Sequence, residues 1–99
     1  MKTKLDHILI ILMEECNELA QITSKALRFG LDEWSDKNPD TRPNIERMLH
    51  EYHDVVAMME MVQAYRGADL TIDRQMIATK KEKVIKYLEY SAKCGELEP

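Results

Sequence analysis

Two long glycine-free stretches of helical periodicity, each closed by a glycine, constrain this chain more than any other feature. The first runs from about Lys4 to Phe29 and meets Gly30; the second begins near Pro43 or Asn44, runs to Arg66 and meets Gly67. A glycine past the last helical residue supplies the left-handed backbone that other residues resist, and Arg28 in the last turn complements the carbonyl end of the first helix. Between the two, Leu31 to Pro43 gathers Asp32, Ser35, Asp36, Asn38, Pro39, Asp40 and Thr41, a concentration of turn formers that predicts a connecting loop. The expectation is an antiparallel helical hairpin. After a short link at Ala68 to Thr71, helical spacing returns from Ile72 to Ala92 through Ile72, Met76, Ile77, Val84, Ile85 and Leu88, which predicts a third helix and a frayed tail over 95–99. With three glycines, three prolines and few aromatics in 99 residues, the balance favours one all-α domain over any sheet.

A formal net charge of -4 and a pI near 5.3 argue against a general binder of nucleic acid polymers or a polybasic membrane ligand, and point to small or cationic partners. No apolar run approaches the roughly 20 residues of a membrane span. The start, Met1 to Lys4, is basic but no signal-peptide cleavage pattern follows, so a cytoplasmic location is expected. Cys16 and Cys94 have neither metal-ligand spacing nor a disulfide framework; both read as free thiols, Cys16 as a small core residue.

The acids carry the chemistry. Glu15 with Glu18, and Glu51 with Asp54, are spaced i and i+3, so each pair presents two carboxylates on one side of its helix. On a helical projection Glu51 and Asp54 fall among Met48, Val55, Met58, Met61, Val62 and Tyr65, an apolar stripe. A carboxylate on such a stripe takes up a proton or acquires a compensating charge. Four converging from two helices favour a hard divalent cation, for which oxygen is the natural ligand. On the first helix the expected core side is Leu5, Ile8, Leu9, Leu12, Cys16, Leu19, Thr23, Ala26 and Leu27, with Glu14, Glu18, Gln21, Lys25 and Arg28 as a polar stripe and Glu15 at the border. Carboxylates followed by bases along one line suit a metal and a phosphate chain; the same stripe also suits an ordinary solvated face.

Other residues admit two readings. His53 lies roughly 160° around the helix from Glu51 and is set aside as a ligand, whereas His50, nearer Asp54, suits a supporting partner. Trp34 in the loop could stack on a nucleobase or plug the end of the bundle, the plug being favoured. The seven methionines read as adaptable packing. The second helix has more apolar surface than a hairpin and a third helix can cover, so a homodimer or a dimer-of-dimers tetramer is expected to complete the bundle.

Glu14-Glu15-Cys16-Asn17-Glu18, followed across a loop by Glu51-Tyr52-His53-Asp54, resembles the doubled acidic signature of the MazG-like all-α nucleoside triphosphate pyrophosphohydrolases. Ser24-Lys25-Ala26-Leu27-Arg28-Phe29-Gly30 and Lys80-Lys81-Glu82-Lys83 look like the flanks of small phage and bacterial members, and the resemblance extends over roughly Leu5 to Tyr90. It implies Mg²⁺, with Mn²⁺ able to substitute, held by Glu15, Glu18, Glu51 and Asp54 and assisted by Glu14. It also implies hydrolysis of a nucleoside or deoxynucleoside triphosphate to the monophosphate and pyrophosphate, for nucleotide-pool control or house-cleaning. On that reading Glu14 or Glu18 takes the proton of the attacking water. Lys25, Arg28, Lys81 and Lys83 hold outer phosphates, the last two from a neighbouring subunit. The loop between the acidic motifs is longer than in MazG itself and leaves base specificity open.

Two rivals remain to be separated from it. A carboxylate-bridged di-metal bundle uses Glu-x-x-His on two helices, and no histidine here stands three residues after a glutamate. A non-enzymatic helical interaction module, with acids that dress its surface, would tolerate Glu51→Gln and Asp54→Asn.

Overall fold

The computed structural model describes residues 1–33 and 41–98, and its regular elements are three helices: α1 (Lys4–Phe29), α2 (Asn44–Arg66) and α3 (Arg74–Lys93). Among the described residues there is no strand, so the fold is all-α.

Local chemistry sets the boundaries. At the start of α1 the Thr3 hydroxyl accepts from the Asp6 N–H while the Asp6 carboxylate accepts from the Thr3 N–H, a reciprocal cap that satisfies two otherwise orphaned donors. Hydrogen bonds to the carboxylate from the Thr3 backbone N–H first, and then from the Thr3 side chain, hold the Asp6 carboxyl below its ordinary value. The glycines end α1 and α2 as expected but in different ways. Gly67 is left-handed, at φ 72° and ψ 31°, and its N–H donates to the Gln63 carbonyl. Gly30, at φ 107° and ψ 149°, sits outside the left-handed helical region, in backbone only glycine adopts without strain, while its N–H still closes on Ala26. The third helix starts two residues later than its apolar spacing suggests, because the Asp73 side chain accepts from the N–H groups of Gln75 and Met76 and fixes the cap there. Its far end closes in a turn, with Gly95 and Glu96 donating to the carbonyls of Ala92 and Ser91.

The hairpin return is pinned by Asn44. Only 4% exposed, it donates from Nδ2 to the Gly30 carbonyl at 2.9 Å, and its backbone N–H reaches the Glu33 carbonyl at 2.9 Å. Ile45 N–H bonds Leu31 O at 2.8 Å. The start of α2 is thus tied to the residues that directly follow α1, which holds the two helices as a hairpin.

The contact between α1 and α2 is a narrow seam. On α1 it follows Leu5, Ile8, Leu12, Glu15, Leu19, Ile22 and Ala26, the alternating three- and four-residue step of a coiled coil. Ile8, Ile22 and Ala26 are its buried members. Met48, Glu51, Val55, Met58 and Val62 answer from α2. The expected core side of α1 is therefore corrected by about 40°, roughly an eighth of a turn, with Leu5, Ile8, Leu12, Leu19 and Ala26 keeping their places. Leu9, Cys16, Thr23 and Leu27 are exposed, Leu27 at 88%, whereas Ile22 is buried. Thr23 instead donates its hydroxyl to the Leu19 carbonyl at 2.7 Å. Met61 and Tyr65 likewise stand off the seam of α2 and are exposed. The cause is geometric: α1 carries apolar side chains over two adjacent flanks, and one facing helix covers only the first of them.

Helix α3 packs on neither α1 nor α2, and none of its residues is buried. The radius of gyration, 17.3 Å, reflects this when set against the value of about 13 Å expected of a compact chain of this length.

Candidate metal centre

Halfway along the seam, the apolar ladder is interrupted from both sides at one level. Glu15 from α1 and Glu51 from α2 occupy positions where the pattern would otherwise place leucine, and both are half-buried. Glu18, one turn beyond Glu15, leans in from the exposed flank. One carboxylate oxygen from each of Glu15, Glu18 and Glu51 lies within 4.8 Å of the other two. That spacing suits three ligand oxygens around one divalent ion at metal–oxygen distances of about 2.0 to 2.6 Å.

Electrostatics sharpens the picture. Glu15 Oε2 and Glu51 Oε2 are buried, and among the described residues nothing donates a hydrogen bond to either atom. Burial pushes the Glu15 carboxyl above its ordinary value, and the charges of Glu18, Asp54 and Glu51, with a hydrogen bond to Glu18, push the same way. The Glu51 carboxyl is raised by burial first, then by Glu18 and Asp54, while His50 opposes. Without a cation the pair tends to keep protons; a cation among the three oxygens supplies the charge that lets them ionise.

Asp54 contributes to this field but is engaged elsewhere. Its Oδ2 is 3.5 Å from His50 Nε2, and His50 Nδ1 is 3.4 Å from Arg42 Nη1. A guanidinium only donates, so Nδ1 accepts and the imidazole proton sits on Nε2, facing Asp54. His50 thus stands beside Asp54, as its place on the helix suggested. Arg42, from the turn before α2, is a link that sequence spacing did not reveal. His53, whose Nδ1 lies 2.7 Å from the Leu49 carbonyl, stays outside the cluster.

The remaining candidates are more scattered. Glu14 is exposed and further round α1 than Glu18. Lys25 continues the Glu18 side of α1 about 10 Å along its axis. The Arg28 guanidinium lies over the Phe29 ring at 5.2 Å, at the opposite end of α1 from its capped start. Lys81 and Lys83 stand on α3, away from the acids of the same chain, and two residues apart on a helix they point in directions separated by about 160°. One site cannot receive both from one α3. Trp34 lies outside the described residues. Comparisons with protein-family models, with curated proteins and with solved structures give no match for this chain.

Proposed function

We propose that this chain is a Mg²⁺-dependent nucleoside triphosphate pyrophosphohydrolase of the MazG-like type, releasing pyrophosphate and a nucleoside or deoxynucleoside monophosphate. The observation that carries the reading is the pair of buried, unpartnered oxygens on Glu15 and Glu51, placed against Glu18 in the middle of an otherwise apolar seam. A structural acid pair would hold a lysine or arginine there; among the described residues only oxygens meet at this point, and oxygens suit a hard cation. When bound, Mg²⁺ supplies charge neutralisation for phosphate oxygens and lowers the pKa of an attacking water.

The chain's own groups do the rest. Glu15 and Glu51 fix the position of the cation because the packed seam restricts their rotamers. Glu18, on the open flank beside them, takes the proton of the attacking water, with Glu14 the alternative base one turn earlier. Asp54, oriented by His50, completes the acidic field. Lys25 meets the outer phosphates on the same flank, and Arg28 extends the basic stripe towards the loop. Lys81 or Lys83 reaches the substrate only from a neighbouring chain, and the 160° between them leaves one of the two for that role.

The test is pyrophosphate release from a panel of canonical and modified nucleoside triphosphates with Mg²⁺. Turnover should vanish in Glu51→Gln and Asp54→Asn while helicity stays intact. Both variants turning over like the parent, or a parent inert on the whole panel, would leave the helical interaction module as the better account.

A further inference from the structure

The formal charge of -4 conceals a division within the chain. Helix α3 holds six of the fourteen bases and only two of the eighteen acids, a net +4, so the remaining residues carry -8. Since α3 packs on neither α1 nor α2, that positive charge is displayed on a helix of its own and is not folded against the acidic hairpin. An acidic sum argues against binding a polyanion only where the charges are mixed. Segregated bases leave a local field that acts over a Debye length, about 8 to 10 Å.

The bases are not spread evenly around α3. On a projection at about 100° per residue, Met76, Lys80, Lys86, Tyr87 and Tyr90 all fall within about 60° of Lys83, whereas Glu82 and Glu89 lie about 100° and 120° away. One face thus carries three lysines at three-residue steps, two tyrosines and no acid. These side chains are exposed, Tyr87 at 65% and Tyr90 at 67%, and among the described residues none of the three lysines is in an ion pair. Towards the start of the helix the same face opens into a shallow cleft of about 300 Å³ lined by Gln75, Met76, Thr79, Lys80 and Lys83. The apolar stripe of Ile77, Val84 and Leu88 is centred about 120° further round, so covering that stripe does not close the basic face.

Composition and length identify what fits there. Lysines repeated along an axis attract a chain of repeated anions, and from Gln75 to Tyr90 the face is about 22 Å long, room for several nucleotides and more than one requires. A lipid surface takes a helix whose apolar face is flanked by bases, whereas here the lysines alternate with tyrosines on the face itself. Exposed tyrosine rings are flat surfaces on which a base stacks, and a single strand offers its bases for stacking as a duplex does not. We propose that this face of α3 binds single-stranded nucleic acid, with its lysines on the phosphates and its tyrosines on the bases. Such contacts read charge and ring faces, not base edges, so the binding is indifferent to sequence. Lys81, about 160° from Lys83, takes no part and stays available to a triphosphate, so the binding stands whether or not the acids hold a metal.

Fluorescence anisotropy of a labelled single-stranded DNA of mixed sequence, in a metal chelator and at about 50 mM salt, should report binding with a Kd of about 100 µM or tighter. The logarithm of affinity should fall with the logarithm of salt concentration at a slope of about -2, and Lys80→Ala or Lys86→Ala should each reduce that slope by about 0.7. Tyr87→Ala and Tyr90→Ala should each weaken binding at least about fivefold with the slope unchanged. Lys4→Ala, which removes the same charge from α1, should leave affinity and slope as they were. Alanine favours the helix at each of these positions, so circular dichroism should show helicity intact in every variant. A duplex of the same sequence should bind at least about fivefold more weakly than the strand, and vesicles of anionic phospholipid should not sediment the protein. Ultraviolet crosslinking of the unaltered protein to the strand needs no variant and should attach it to peptides of α3. No binding of the strand, affinity and slope unchanged in all four α3 variants, Lys4→Ala acting as strongly as Lys80→Ala, a preference for duplex or vesicles, or crosslinks confined to α1 and α2 would each overturn the proposal.

Discussion

Replacing Glu51 by leucine separates a strained functional group from a structural one. The position lies on the α1–α2 seam between Met48 and Val55, and its Oε2 is buried with no partner. Fully burying a leucine side chain contributes about 1.5 to 3 kcal/mol. A half-buried site delivers about half of that, roughly 1 kcal/mol. Glutamate and leucine have similar helix propensities, so the exchange costs little there. Removing the carboxylate also removes its repulsion with Glu18 and Asp54, which acts in the same direction. For a domain of this size, 1 kcal/mol moves the melting temperature by about 4 to 8 °C. Thermal unfolding followed by circular dichroism in a metal chelator should therefore show Glu51→Leu melting higher than the parent by about that much. Adding Mg²⁺ should raise the parent and leave the variant where it was. A variant that melts below the parent in chelator would mean that the acids support the fold, and the reasoning would fail.

Three further outcomes follow from the same geometry. The Glu15 and Glu51 carboxyls are raised above 4.5, so the folded chain binds more protons than the unfolded one above that pH; stability in chelator should fall as pH rises from about 4.5 through the folded-state values, and Glu51→Gln should flatten the slope, as urea titrations across pH would record. Ile22→Ala, 4% exposed on the seam, should cost about 2 to 4 kcal/mol by urea unfolding, whereas Leu27→Ala, 88% exposed in the single chain, should cost far less. Asn44→Ala removes the shorter of two hydrogen bonds to the Gly30 carbonyl, leaving that of the Glu33 N–H at 3.4 Å, and should cost about 1 kcal/mol in the same assay.

Much of the architecture was legible because it depends on local chemistry. Gly30 and Gly67 announce the ends of α1 and α2, and the turn formers between them announce the hairpin. The start of α3 lies two residues past the point its apolar spacing indicates, because spacing through Ile72 says nothing about which side chain will cap; Asp73 decides it. The direction of the core could not be read from α1 alone, since Leu9, Cys16 and Leu27 continue the apolar surface past the edge of the seam, and only the position of α2 determines that Ile22 goes in and Leu27 stays out. The meeting of Glu15, Glu18 and Glu51 was foreseeable from the two i, i+3 spacings once the hairpin was assumed. The link from Arg42 through His50 to Asp54 was only half visible, because Arg42 sits in the turn and follows no helical period. The failure of α3 to pack within the chain left no mark on its own sequence, which is amphipathic wherever its partner comes from.

The central claim is that the seam carboxylates exist to gather a divalent ion. Anomalous diffraction from crystals grown with Mn²⁺ addresses it directly. The account predicts a peak bounded by the carboxylates of Glu15, Glu18 and Glu51 in each chain, lost in Glu15→Gln. Well-ordered density for the three acids, hydrogen-bonded to one another with no anomalous signal between them at saturating Mn²⁺, would contradict it.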